Sequence, residues 1–139
     1  KTTKNSDYSS IKKVASGGEL SRLLLIMKSF ISKNDKNKTI IFDEVDSGLS
    51  GKVSGVVADK IVEISKYNQV LAITHSPQVA AKADKHWKIV KNIKNTNIME
   101  SSIIELNEEE RIEEIANIFS GSSLSEASRE VAKELLLKK

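Results

Sequence analysis

The chain has 139 residues, enough for one domain with a core of its own. It has no cysteine, which excludes disulfides and thiolate metal sites, and no apolar run in it approaches the length of a bilayer span. Its formal net charge of +3 is unevenly spread: residues 1–99 carry 17 Lys/Arg against 9 Asp/Glu, and residues 100–139 carry 5 against 10. A basic body is compatible with phosphate-bearing partners without requiring one.

The polar opening, residues 1–12, has no apolar periodicity and no signal-peptide pattern; it reads as a flexible lead-in to a single domain spanning 13–139. Ser16-Gly17-Gly18-Glu19 opens the first helix, with Leu20, Leu23, Leu24, Met27, Phe30 and Ile31 on one apolar face. A polar turn, residues 32–38, leads into Thr39-Ile40-Ile41-Phe42, a short apolar run that predicts a strand buried on both faces and ends in Asp43-Glu44. Ser47–Gly51 reads as a loop with Ser50 as N-cap of a helix over 52–66, whose face is Val53, Val56, Val57, Ile61 and Ile64. Gln69–Ile73 is a second apolar strand, so the segment predicts a βαβ unit with parallel strands.

Thr74-His75 would leave this second strand at the same end as Asp43-Glu44. Ser76-Pro77 predicts an N-cap with proline in first helical position, opening a short helix to residue 83. Residues 86–90 and 98–105 read as two more strands, pairing as a hairpin, with His86 structural and Trp87 in the core. Asn107-Glu108-Glu109-Glu110 predicts a helix with a reciprocal cap and a core face of Ile112, Ile115, Ala116 and Phe119. Ser123 and Glu126 cap a last helix with Ala127, Val131, Leu135 and Leu136 inward.

Three features point to chemistry. A buried strand ending in two carboxylates must offer them to water, a cation or a substrate. Asp43 would hold Mg²⁺ and Glu44 would handle a water, although two solvated acids at a strand end satisfy the same pattern. Ser16-Gly17-Gly18-Glu19 is a capping box, yet glycines and free N–H groups at a helix start also suit a phosphate. A neutral His75 could bond a phosphate oxygen or orient a water.

The order of these features is more specific than any one of them. Val14-Ala15-Ser16-Gly17-Gly18-Glu19-Leu20-Ser21-Arg22 is similar to the signature motif of ABC-type ATPases. Thr39–Glu44 resembles Walker B, Val45–Gly51 the D-loop, and His75 the switch histidine. Within that superfamily the chain resembles the RecN family of bacterial SMC-like DNA repair ATPases. The residues that carry this are Ser16–Arg22, Asp43–Gly51, Thr74–Ala81, Ala83-Asp84, Leu106–Arg111 and Leu124–Ala127, within a resemblance over about residues 11–137.

The resemblance implies an α/β fold, the C-terminal portion of an ABC/SMC-type P-loop ATPase head with short parallel strands flanked by helices and an incomplete sheet. It implies ATP and Mg²⁺ as cofactors, with Asp43 on the metal through water, Glu44 as general base or water-positioning group, and His75 on the γ-phosphate. Ser16, Gly17, Gly18 and Glu19 would bind, in trans, the nucleotide of another head, and Ser47, Gly48, Leu49 and Ser50 would form the D-loop. Glu19 stands where transporters usually carry Gln, and Ser50 where many ABC proteins carry Asp. The implied partners are a second head, an N-terminal half carrying Walker A, and DNA through the full-length protein, with no membrane and a cytoplasmic, nucleoid-associated location.

No Gly-x-x-x-x-Gly-Lys-Ser/Thr occurs in the chain. The expectation is therefore a fragment or one chain of a split head, inactive by itself, from an ATPase of double-strand-break repair whose heads engage on ATP binding and separate on hydrolysis. Two alternatives stand beside it: the head of another SMC-like protein or an ABC transporter subunit, and a non-hydrolysing interaction module. Val45-Asp46 after Glu44, in place of the Pro-Thr of transporters, favours the SMC-like branch.

Overall fold

A computed structural model describes residues 17–32, 34, 36–93, 99–121 and 124–138. In chain order these form α1 (Gly17–Ile31), β1 (Thr39–Asp43), α2 (Gly51–Ser65), β2 (Gln69–Ile73), α3 (Pro77–Lys82), β3 (Trp87–Ile93), β4 (Met99–Glu105), α4 (Glu108–Ser120) and α5 (Glu126–Leu137). The chain divides into two compact units, Lys1–Thr74 and His75–Lys139. The predicted lead-in over 1–12, Ser16 and the predicted cap Ser123 lie outside the described residues.

In the first unit β1 and β2 pair in parallel, with Thr39 opposite Gln69 and Asp43 opposite Ile73. Their N-terminal ends are clasped. The Gln69 N–H donates to the Lys38 carbonyl at 2.8 Å, and the Lys38 N–H donates to Asn68 Oδ1 at 3.1 Å. The helix α2 supplies the long connection that a parallel pair needs. Leu25 of α1, Phe42 of β1, and Val57, Ala58 and Ile64 of α2 are buried.

Several faces differ from those the sequence predicts. Phe42 is buried but Ile41 is 65 % exposed, so β1 is covered on one face only. The pair has two strands, and alternation sends successive side chains to opposite faces. On α1 the buried positions are Leu25 and Ser29, whereas Leu23, Leu24, Met27, Phe30 and Ile31 are exposed. The helix is apolar around most of its circumference, and within this unit it packs on α2 and β1 along one side. On α2 the predicted Val57 and Ile64 are buried, together with Ser54 and Ala58, while the predicted Val53 and Val56 are exposed. Ser50 occupies the N-cap position with extended backbone, but its hydroxyl makes no capping bond.

The second unit packs α3, α4 and α5 around Ala80, Ala81, Ile115, Ala116 and Ala132. Alanines at these contacts let helices approach closely, and the fully buried Ile115 adds about 1.5–3 kcal/mol of transfer free energy. Phe119 and Ala127 are exposed instead of inward. The predicted cap of α4 is present: Asn107 Oδ1 accepts from the Glu110 N–H, and Glu110 Oε2 accepts from the Asn107 N–H, both at 2.9 Å. α5 is capped by Ser125, whose Oγ accepts from the Ser128 N–H at 3.1 Å.

The predicted hairpin forms, antiparallel, with Trp87 opposite Glu105 and Ile89 opposite Ile103. Trp87 is half exposed, not core; its indole N–H donates to Glu105 Oε2 at 3.3 Å. Arg111 of α4 donates from Nη2 to the Ala83 carbonyl at 2.7 Å, tying down the end of α3. His86 sits just before β3, and its carbonyl accepts the Leu106 N–H at 2.9 Å. Burial, then the Arg111 guanidinium, pushes the His86 imidazole below its ordinary value.

Candidate functional site

The C-terminal end of β1 is where the chain turns chemically distinctive. The parallel register carries one bond past Asp43: the Glu44 N–H donates to the Ile73 carbonyl at 2.9 Å. Glu44 then takes φ +46°, a left-handed state that an L-residue rarely keeps. The chain folds into a turn, with the Ser47 N–H on the Glu44 carbonyl at 3.0 Å and the Leu49 N–H on the Asp46 carbonyl at 3.2 Å. Gly48 sits at φ +71°, a conformation that glycine adopts without steric cost.

This turn sorts its side chains. Val45 and Asp46 point inward and are almost fully buried, whereas Asp43 and Glu44 are exposed. Two acids thus stand in solvent at a sheet end, on a backbone anchored by a buried valine. Of the loop 47–50, Ser47 and Leu49 are half-buried and Gly48 and Ser50 exposed.

Two contacts that sequence reasoning missed hold the turn in place. Arg22 Nη1, on α1, donates to the Ser47 carbonyl at 3.1 Å. Thr74 Oγ1, one residue beyond β2, donates to Asp46 Oδ2 at 2.6 Å. The only signal for the second was an acid placed inside a turn next to a core valine, with a threonine leaving a neighbouring strand at the same end.

Of the other sequence-predicted residues, Gly17 and Gly18 form the start of α1, and Glu19 lies exposed in its first turn. The register brings Asp43, Glu44 and Thr74 out at one end of the strand pair. His75 is exposed and opens the second unit.

The donor set suits a hard divalent cation only in part. Asp43 and Glu44 offer carboxylate oxygens, but no cluster of three His, Cys, Asp or Glu residues among those described could hold a metal alone. That fits Mg²⁺, which keeps several waters and is bound through one or two carboxylates plus substrate phosphates. No described helix is long and apolar enough to cross a membrane.

No family model matches the chain. Curated proteins do, at 45 % identity over 91 % of it. The chain is similar to the DNA repair protein RecN. The match runs over 126 residues with RecN of Halalkalibacterium halodurans, 127 with that of Bacillus subtilis and 128 with that of Rickettsia conorii, the last also 45 % identical. The chain spans 22–23 % of the length of these RecN proteins. A solved structure, described with ATP-driven dimerization and DNA-stimulated activation of SMC ATPases, matches at TM-score 0.53 and 28 % identity, over 83 % of this chain and 68 % of that one. The likeness to RecN and to an SMC ATPase bears out the fold class: mixed α/β, with short sheets, as in the C-terminal portion of an ABC/SMC-type head.

Proposed function

We propose that the chain is the C-terminal part of the ATPase head of a RecN-like, SMC-type DNA repair protein, and that it contributes half of an ATP site. The observation that carries this reading is the parallel register that brings Asp43-Glu44 and Thr74 out at one sheet end, in a chain 45 % identical to RecN. Glu44 would take or orient the proton of an attacking water, and Asp43 would hold Mg²⁺ through water. Bound there, Mg²⁺ would supply positive charge to the phosphates. His75 would contact the γ-phosphate. Ser16, Gly17, Gly18 and Glu19 would serve the nucleotide of a second head, with Ser47–Ser50 at the junction between heads. Catalysis would come from positioning and electrostatics, with no covalent intermediate.

The phosphate-cradling loop has no counterpart in these 139 residues, so it must come from other sequence, and the chain alone should not turn over ATP. The test is to combine the chain with the segment that carries a phosphate loop, or to use the complete polypeptide, and to follow ATP-dependent head dimerisation and turnover with and without DNA. Glu44→Gln should keep ATP binding and accumulate the engaged dimer. Turnover by that variant at the parent rate overturns the role of Glu44. Turnover by the chain in isolation, with contaminants excluded, overturns the shared site.

A further inference from the structure

Asp46 has no part in that reading, yet no other carboxylate among the described residues is buried; it is 2 % exposed. Taking a carboxylate out of water is costly unless donors or charge meet it. Among the described residues one donor does, Thr74 Oγ1 at 2.6 Å from Oδ2, while Oδ1 has no hydrogen-bond partner. Thr74 follows Ile73, whose carbonyl accepts the Glu44 N–H at 2.9 Å. Two consecutive residues at the end of β2 therefore grip residues 44 and 46 of the turn, one through the backbone and one through a side chain. Between the grips Val45, 1 % exposed, is fixed in the core. The residue so held is Glu44, at φ +46°, a state that persists only where the surroundings over-determine it.

The geometry points to Asp46 as a positioning residue: with Thr74 it forms a clamp that keeps the turn closed and fixes the direction in which Glu44 leaves the sheet. The catalytic consequence rests on the reading of Glu44 given above; the clamp itself does not. A role in packing alone makes a different demand. Valine matches threonine in shape, so Thr74→Val would then be harmless, whereas a clamp needs the hydroxyl.

The experiment uses the complete native polypeptide and two readouts. The first is hydrogen–deuterium exchange by mass spectrometry over the peptide that spans the turn. Thr74→Val and Asp46→Ala should each speed exchange there about tenfold, as expected for losing a hydrogen bond to a charged group. The double variant should be little worse than either single one, because both remove the same contact. Thr74→Ser, which keeps the hydroxyl, should exchange as the parent does. The second readout is steady-state ATP turnover. The same two variants should lose about 10- to 100-fold in kcat with KM unchanged, as for a misplaced catalytic group, and Thr74→Ser should restore it. Unchanged exchange in Thr74→Val and Asp46→Ala, or full additivity in the double variant, overturns the clamp. Faster exchange with unchanged kcat overturns the positioning role. Glu44→Gln turning over at the parent rate overturns the catalytic reading alone, and exchange then still decides the clamp.

Discussion

Arg22 Nη1 donates to the backbone carbonyl of Ser47 at 3.1 Å. The donor stands one helical turn beyond Gly18, and the acceptor lies in the turn that follows Asp43-Glu44. The helix that opens with the signature-like Gly17-Gly18 is thus bonded, within one unit, to the turn that carries the candidate water-handling acid. Removing a charged donor from a partly buried carbonyl leaves that carbonyl unsatisfied, so Arg22→Ala should cost about 1–3 kcal/mol. Arg22→Lys keeps the charge and one usable donor and should cost less. Urea midpoints followed by circular dichroism decide it; equal midpoints for Arg22→Ala and the parent would mean that the bond contributes nothing in solution.

At Glu44 the left-handed backbone and the proposed catalytic role make opposite demands on the side chain. Its left-handed backbone costs a non-glycine residue on the order of 1 kcal/mol or more. Glycine is free of that strain but gives back roughly 0.5–1 kcal/mol in chain entropy. Glu44→Gly should therefore fold with a stability equal to or slightly above that of the parent, while the complete polypeptide carrying it loses ATP turnover. A β-branched residue suffers most at positive φ, so Glu44→Val should be destabilised. A denaturation series over the two variants checks the order Gly, Glu, Val; Val more stable than Gly would show that the turn relaxes out of the left-handed state.

The legible parts of this chain were those set by neighbours in sequence. The span Gln69–Ile73 is bounded by polar residues and forms β2 as read, and the reciprocal cap of Asn107 and Glu110 is a contact over three residues. Asp43-Glu44 was placed at a strand end because the apolar run stops there. What failed were choices between two apolar faces. On α1, Leu24 and Leu25 are adjacent and equally apolar, yet Leu25 is buried and Leu24 is 56 % exposed. Periodicity says which residues share a side, not which side another element covers. Trp87, expected in the core, is another such case: its indole N–H reaches a carboxylate at the hairpin surface. The contacts Arg22–Ser47 and Thr74–Asp46 span 25 and 28 residues and follow from helix packing and strand register, which local pattern does not fix.

The second unit should lose stability in mild acid through His86. The imidazole is half-buried, its Nδ1 has no hydrogen-bond partner among the described residues, and the charges that act on it come from Arg111, Glu114 and Lys88. Burial is the largest influence and lowers its pKa from the ordinary 6.5; Arg111 and Lys88 lower it further, and Glu114 works against them. A histidine whose folded pKa lies below its unfolded value is protonated first in the unfolded chain. Its stabilising contribution is complete above 6.5, shrinks as the pH falls below that, and is gone once the pH has dropped through the lowered folded value. Glu113 and Glu105 are held below their ordinary 4.5 by hydrogen bonds from Arg129 and Lys85, so their contributions are lost only in stronger acid. Trp87 is the one tryptophan and lies in the same unit, so its fluorescence reports the unfolding of this unit. The urea midpoint should be lower at about pH 5.5 than at about pH 7.5, a range in which histidine is the side chain that titrates. His86→Gln removes this imidazole and should shrink that difference. A parent whose midpoint does not move between the two pH values, or a His86→Gln variant that falls as far as the parent, would show that this imidazole is not the group that destabilises the unit.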